Sequence, residues 1–342
     1  MKSKFGPRQI NYLFRLVTLF ILFTDLFTGG YSQDIQFTLF NNSPLFINPA
    51  ATGNFEGNWR ITGNYRDQWR ALNEPFTTAS VSFDKHFYFH GRKVDAGIYL
   101  LNDNSGAIGL SANKFYLSLA YAKPFNRNLF RFGLQAGYAF LTFGGENITY
   151  PGDWNFTDGV FAGGNPSEKS NYLDINMGAI WQTSIKNLEP ELGVSISHLN
   201  VPNESFFDAT ERLPVRFNFH GQMKAKINDD IYILPAFLYM TRKSASMTVL
   251  GSNVGFKKFA RRSAVKELTA GIYYRDGLFN NADAVSLTGG ASIGRIDVAI
   301  CYDYNISGLK VATSNRGAVE ISFAYRSIST VLNSYSIPCE RY

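Results

Sequence analysis

The sequence is short of charge and of long apolar runs. Asp, Glu, Lys and Arg make up 18% of its 342 residues, below the roughly 25% of a typical soluble domain. The one long apolar run, residues 16–24, reaches only about half of the roughly 20 residues that a membrane-spanning helix needs. Aromatic residues and glycines are abundant instead, with 30 Phe, 19 Tyr and 30 Gly. Few charges beside many aromatic rings predict a protein whose outer surface does not all face water.

Cysteine is scarce as well, since Cys301 and Cys339 are the only two. They form no CxxC pair and no Cys/His spacing of the kind that binds zinc. In an exported chain a disulfide between them is permitted, and the sequence leaves the bridged and unbridged forms open. Asp153, Asn155 and Asp158 could offer oxygen ligands to calcium, but without EF-hand spacing they are more typical of an ordinary turn. The sequence therefore predicts no metal site and no cofactor.

Catalytic motifs are missing too. Four histidines occur, His86, His90, His198 and His220, with no HExxH motif among them. Residues 290–294 (GASIG) fit the letters of the GxSxG motif, but no helix follows them, as it would in a nucleophile elbow. Strand alternation predicts that His198 lies on the apolar face of its strand and His220 on the polar face, both as wall residues. The chain is accordingly predicted to have no catalytic residues and not to be an enzyme.

The first 32 residues have the features of a cleaved signal peptide. Lys2, Lys4, Arg8 and Arg15 precede the apolar run, and Gly30 and Ser32 supply small residues before Gln33. The alternatives are an uncleaved anchor helix and a buried core helix. Because residues 1–32 carry four basic residues and one acidic residue, removing them lowers the formal charge from +6 to +3. The remaining Lys and Arg are scattered, and nucleic acid is not a predicted partner.

Period-two alternation dominates the rest of the chain. In residues 115–121, 173–182 and 215–224 apolar side chains occupy one face and small or polar ones the other. Segments of about ten residues suit tilted strands that cross a bilayer. Aromatic residues near segment ends suit the two interfacial girdles. The fourteen predicted strands are 58–69, 76–89, 92–103, 109–123, 128–144, 170–186, 188–199, 214–227, 230–242, 246–256, 265–276, 284–293, 295–304 and 317–327.

The predicted fold class is all-β, a transmembrane antiparallel β-barrel of about 14 strands in the outer membrane. Residues 58–327 form the barrel and 328–342 a tail. Residues 33–57 precede it as a leader that folds into the lumen as a plug, lies across the periplasmic mouth, or is disordered. Tight turns alternate with the long segments 145–169 and 199–213, which are expected on the extracellular side. Many of the predicted inward positions are small or uncharged, whereas an open pore is expected to show rings of charge on its inner face.

The start of the mature chain resembles a known family. Residues 33–40 (QDIQFTLF) lead into 44–53 (PLFINPAATG), then 59–69 (WRITGNYRDQW) and 75–84 (PFTTASVSFD). This order resembles the PorP/SprF family of Bacteroidetes, whose members carry a Q-D-P-Q-F-like start, N-P-A-x-x-G, Y-R-x-Q-W and T-x-x-x-S-x-D. Ile35 stands where proline is common in the family.

The end of the chain is similar to the same family. Residues 302–309 (YDYNISGL) resemble its Y-D-x-N-x-S-x-L segment, and 317–325 (GAVEISFAY) resemble its final G-x-x-E-I-S strand. Residues 337–342 (IPCERY) resemble a tail that usually ends Cys-Pro-Arg-Phe, with Glu340 in place of proline. The resemblance spans the mature chain.

The resemblance implies a fourteen-stranded barrel of the type IX secretion system. It implies a role in the export or surface attachment of proteins with a C-terminal sorting domain, such as gliding adhesins. Its expected partners are that cargo, other secretion components and outer-membrane lipid. It implies no enzymatic activity and no catalytic residue. The alternatives are a passive pore or small-solute channel, and a barrel that anchors periplasmic machinery.

Aromatic residues in the two long loops are the predicted partner-binding residues. Trp154, Phe156, Phe161, Phe206 and Phe207 stand among Gly, Asn and Asp. Aromatic anchors in a polar surround are typical of binding hot spots. The alternative is that these rings only fold the loops over the barrel mouth.

Overall fold

Fourteen antiparallel strands form a closed barrel in which the first strand, Trp59–Gln68, pairs with the last strand, Arg316–Arg326. The computed structural model describes residues 35–70, 75–89, 92–105, 109–144, 154–155, 160–161, 168–206, 212–243, 245–257, 259, 263–277 and 281–328. The barrel strands are β1 Trp59–Gln68, β2 Phe76–Phe89, β3 Arg92–Ser105, β4 Leu110–Phe125, β5 Asn128–Phe143, β8 Glu168–Thr183, β9 Leu188–Ser197, β10 Arg216–Lys226, β11 Ile231–Arg242, β12 Ala245–Phe256, β13 Val265–Gly277, β14 Asn281–Ile293, β15 Ile296–Asn305 and β16 Arg316–Arg326. The predicted fold class is confirmed, and the predicted strands match these in order and number.

Side-chain alternation gives the barrel an apolar outer belt. Leu119, Leu134 and Leu287 point outward and are 58%, 60% and 61% exposed, which suits contact with lipid tails. Their strand neighbours point inward and are buried, as Ser118 and Gln135 show. Apolar residues therefore lie outside the barrel and polar residues inside it, which is the arrangement of barrels that span a bilayer.

Aromatic rings cluster near one end of the barrel. The ring of Trp59 lies 5.2 Å from that of Tyr325 and 6.1 Å from that of Phe83. Phe87 and Tyr88 at the end of β2 are about half exposed. Rings with one polar edge favour the membrane–water boundary, so this cluster fits one interfacial girdle.

The two ends of the barrel differ in their connections. At what we term the short-turn end, β4 joins β5 through residues 126–127 and β14 joins β15 through 294–295. Asn126 and Gly294 have φ of 54° and 63° there, as tight hairpins require. The opposite, long-loop end carries residues 144–167, 198–215 and 306–315.

The loop that follows β5 contains a small structural element of its own. Two two-residue strands, β6 (Trp154–Asn155) and β7 (Val160–Phe161), pair with each other outside the barrel sheet. Within the described ranges, no helix is long and apolar enough to cross a membrane.

Residues 35–57, the leader, lie inside the barrel. A 3₁₀ turn at Phe40–Asn42, a short helix α1 at Pro44–Ile47 and a second 3₁₀ turn at Pro49–Ala51 fold it compactly. Its apolar side chains pack on inward residues of two walls. Phe37 and Leu45 contact the β3 and β4 side, while Phe40 and Ile47 contact β11 to β13. The leader thus supplies part of a core that the barrel walls, polar on their inner face, do not make alone.

Candidate functional site

Two glycines of the barrel wall lie in close contact with the leader. Gly133 of β5 and Gly178 of β8 are paired across the sheet. A Cβ on Gly133 would lie 2.3 Å from the backbone of Pro49 and Ala50, and one on Gly178 would lie 2.0 Å from Asn48 Oδ1. Only a residue without a side chain allows so close an approach. The leader is therefore seated directly against the inner surface of the sheet.

Asn48 fastens this contact with its amide. Its Oδ1 accepts a hydrogen bond from the Ala50 backbone N–H at 2.9 Å, which caps the second 3₁₀ turn. Its Nδ2 donates to the carbonyls of Ala179 and Val194 at 3.1 and 3.0 Å, and lies 3.0 Å from His220 Nε2. Asn48 is fully buried, so these partners offset the cost of removing the amide from water.

An outer ionic cluster, formed by Arg66, Arg275, Asp303 and Glu320, lies towards the long-loop end. Arg66 and Arg275 donate to Asp303 at 2.9 and 2.8 Å, and Arg66 also pairs with Glu320. All four side chains are at most 2% exposed. The strands involved, β1, β13, β15 and β16, include both sides of the barrel seam, so the cluster links the first strand of the barrel to the last.

The leader is part of the outer ionic cluster. The backbone N–H groups of Thr38 and Leu39 donate to the two oxygens of Glu320 at 2.6 and 2.8 Å. The hydroxyl of Thr38 donates to Asp303 at 3.2 Å. Hydrogen bonds to an ionised acceptor are about twice as strong as neutral ones. Glu320 therefore holds the leader backbone and an arginine at the same time.

An inner ionic cluster, formed by Arg60, Asp84, Asp95 and Arg131, lies nearer the short-turn end. Arg60 donates to both oxygens of Asp84 at 3.0 and 2.7 Å, and Arg131 pairs with Asp95 at 2.6 Å. The leader backbone also forms hydrogen bonds with this cluster. The N–H of Gly53 donates to Asp84 at 2.7 Å, while Arg131 donates to the carbonyls of residues 50 and 52.

The leader and the two clusters depend on each other electrostatically. Removing one member of a buried ion pair typically costs 3–5 kcal/mol, roughly, because the other charge stays buried. The leader supplies main-chain donors to the carboxylates and main-chain acceptors to the guanidinium groups. Without it, the same charges would face an emptied lumen. The charged residues of the lumen are thus satisfied by the leader rather than by water in an open channel.

Beside the many small or uncharged inward residues, the lumen holds charged residues that the sequence analysis did not single out. Arg60, Arg66, Asp84, Asp303 and Glu320 all point inward and are buried. Every one lies within a stretch that resembles the family motifs, so the sequence did contain the signal. Alternation would have assigned each to the polar face, but pairing between strands far apart in sequence cannot be read from one strand.

His198 also departs from its predicted place. It lies inside the barrel, 3% exposed, and its Nδ1 is 2.9 Å from Asp174 Oδ1. Tyr116 donates to the other oxygen of Asp174 at 2.7 Å. The prediction on the apolar face was wrong because β9 ends at Ser197 and His198 has φ of 61°. That left-handed residue breaks the alternation. His220 does lie on the inner, polar face, as predicted.

A second part of the lumen is less tightly filled. On the short-turn side of the outer ionic cluster, four inward residues are only partly buried. They are Asn253, Thr269, Thr288 and Ala299. Asn253 accepts a hydrogen bond from Thr288 and donates one to Tyr273. This part of the inner wall is therefore lined by small, partly buried side chains.

The predicted partner-binding residues are only partly placed. Trp154 and Phe161 are paired positions of β6 and β7, and Phe156 and Phe207 lie outside the described residues. The ring of Phe206 lies 5.7 Å from that of Phe143 and packs against the cluster around Leu141 and Tyr172. The structure therefore brings Phe206 to the inner wall at the long-loop end.

The remaining candidates involve cysteine and calcium. Cys301 is a buried residue of β15 that lies 3.5 Å from Asp303, and Cys339 lies outside the described residues. Of the calcium candidates, Asp153 and Asp158 also lie outside them. In the described part of the chain, no group of three or more His, Cys, Asp or Glu side chains could hold a metal ion.

Comparison with known sequences identifies one family. The model of the family described as "Type IX secretion system membrane protein PorP/SprF" matches residues 29–325. No curated protein sequence gives a significant match.

Comparison with solved structures gives matches to a channel, a transporter and a translocator domain. The monoaromatic hydrocarbon channel CymD has a TM-score of 0.50 at 11% identity, over 89% of this chain and 96% of CymD. The toluene transporter TbuX of Ralstonia pickettii has a TM-score of 0.49 at 11% identity, over 87% and 96%. The translocator domain of the autotransporter NalP from Neisseria meningitidis has 0.43 at 9%, over 84% and 95%. At such identities the likeness to CymD concerns the fold alone.

Proposed function

The chain belongs to the PorP/SprF family of type IX secretion system membrane proteins and forms a barrel of the outer membrane, and from this premise we propose that it is a non-enzymatic partner-binding component. It aids the export or surface attachment of proteins that carry a C-terminal sorting domain, gliding adhesins among them. Its partners are that cargo and other secretion components. It uses no cofactor.

The packing of the leader carries this proposal. An open solute channel needs a continuous water-filled path. Here the apolar residues Phe37, Phe40, Leu45 and Ile47 are buried within the barrel, and the leader backbone is bonded to both ionic clusters. A barrel filled in this way is better suited to act through its surface and its mouth than by conducting solutes.

The long-loop end is the proposed contact surface. Trp154, Phe156, Phe161, Phe206 and Phe207 are its proposed anchor residues. An anchor ring typically contributes about 2 kcal/mol or more to binding when it fills a pocket on the partner. Of these residues, Phe206 packs on the inner wall.

A deletion strain that is complemented with variants tests the proposal. The parent chain restores surface display of a sorting-domain protein and leaves general solute uptake unchanged. Replacing Trp154 and Phe156 together with Ala lowers cargo display while the barrel still shows heat-modifiable migration in gels. The matched control is Phe132→Ala, which removes an outward ring that is 54% exposed to the lipid side. It leaves display unchanged.

The alternative function is a passive pore or small-solute channel. Its favouring observation is the incomplete burial of small inward residues on β12 to β15. Two results would transfer our preference to it: normal cargo display by the Trp154→Ala/Phe156→Ala variant, and open-porin conductance of the purified parent barrel.

A further inference from the structure

The leader runs through the lumen from one end of the barrel towards the other, and its contacts with the wall show which part of the leader lies at each level. Its last residues lie at the short-turn end, where the backbone N–H of Asn58 donates to Ser327 Oγ at 3.0 Å, just beyond β16. Gly57 approaches the carbonyl of the same residue. The leader therefore leaves the lumen at the short-turn end, where β1 begins.

The middle of the leader contacts the middle of the wall. Gly53 and Asn48 bond to Asp84 of β2 and to Val194 of β9, which are interior positions of their strands. Thr38 and Leu39 reach Glu320, the fifth residue of β16 from its long-loop end. Going towards the amino terminus, the contacts thus move away from the short-turn end.

The first described residue of the leader lies in the long-loop half. Ile35 lines a cavity together with Leu101, Lys114 and Arg216. Arg216 is the first residue of β10, and Lys114 is the fifth of β4, both counted from the long-loop end. Two further residues extend at most about 7 Å, so a chain that begins at Gln33 would start within about that distance of Ile35.

Long loops mark the extracellular end of outer-membrane barrels. We propose that the leader is a threaded plug, with its amino end directed outward, so that the mature amino terminus is presented at the extracellular mouth. The chain enters the lumen from the outside at its first residues and leaves it at the periplasmic end to begin β1. This path extends beyond the cargo role proposed above and does not depend on it.

Site-directed labelling tests the path in intact cells. The background carries Cys301→Ser and Cys339→Ser, and the probe is a membrane-impermeant maleimide. Asp34→Cys reports the amino end. Val311→Cys, at a residue that is 84% exposed in the long loop after β15, is the extracellular control. Asn126→Cys, in the tight turn between β4 and β5, is the periplasmic control.

The expected result is that Asp34→Cys and Val311→Cys react on intact cells at similar rates, while Asn126→Cys reacts only after the outer membrane is permeabilised. Reaction of Asp34→Cys only after permeabilisation overturns the proposal, because the amino end then returns to the periplasm. So does a lack of reaction in both states, which means an enclosed end. Reversed behaviour of the two controls overturns the orientation. Display of the sorting-domain protein by the same cells is scored separately, so failure of the cargo role is distinguishable.

Discussion

At the scale of single residues, Glu320 makes the most consequential contacts. It accepts two backbone N–H groups of the leader and pairs with Arg66. Glu320→Ala leaves a buried guanidinium short of a partner, so we expect the free energy of unfolding to fall by about 3–5 kcal/mol. Denaturant titration of the refolded barrel in detergent measures this.

A second glutamate provides the control for Glu320. Glu189 bonds to Lys226 at 2.5 Å, but both side chains are 40% or more exposed. Glu189→Ala should change the free energy of unfolding by less than about 1 kcal/mol. Equal effects of the two substitutions would contradict the importance assigned to the outer ionic cluster.

Gly133 gives a steric prediction. In Gly133→Ala the new Cβ meets the leader backbone at 2.3 Å, so the Asn48–Ala50 turn must leave its seat. We expect the leader to become sensitive to protease, with its cleavage followed by mass spectrometry. Gly289→Ala is the matched control, because its Cβ meets nothing nearer than Ile300 at 4.0 Å. If the leader of the Gly133→Ala variant resisted protease as well as that of the parent, the contact between the leader and Gly133 would not be as close as described.

The sequence predicted residues well where their role follows from local alternation and poorly where it follows from pairing across the barrel. The inner-face position of His220 followed from its strand pattern. Asp303 and Arg275 are buried partners from different strands, and only the closed barrel brings them to Thr38. His198 was misplaced because one residue with positive φ reverses the direction of its side chain.

At the scale of elements, the leader is the part whose removal should change function most. Deleting residues 35–56 empties the region between the two ionic clusters. We expect the conductance of the purified barrel in planar bilayers to rise from near closed to a steady open level. Heat-modifiable migration confirms that the variant is folded. Unchanged conductance would mean that the loops close the barrel, without help from the leader.

Strands were more predictable than the leader for a physical reason. A strand such as β5 shows its alternation over Asn128–Phe143, and its outward residues Phe132, Leu134 and Phe140 are exposed whatever the barrel encloses. The turns at Phe40–Asn42 and Pro49–Ala51 are three residues each, too short to show a period. Contacts such as that of Asn48 with β8 and β9 specify them, and those contacts are distant in sequence.

At the scale of the whole molecule, the threaded leader sets an order of events. An amino end directed outward cannot remain attached to a segment held in the inner membrane. Replacing Gly30 and Ser32 with Leu to block removal of residues 1–32 should therefore prevent the leader from seating. We expect less heat-modifiable barrel in outer-membrane fractions, and amino-terminal sequencing reports which form is present. A fully assembled barrel that keeps residues 1–32 and a protected leader would contradict this order.

The bond between Thr38 and Glu320 joins positions 282 residues apart. Contacts of such separation are slow to form, because the intervening chain must first be ordered. The acceptor lies on the last strand, so a nascent barrel that lacks β16 cannot hold its own beginning. A truncated or stalled chain would leave its amino-terminal segment loose in the periplasm, as a substrate for proteases. Because the leader is held by a residue of the last strand, resistance of the leader to protease reports that assembly of the barrel is complete.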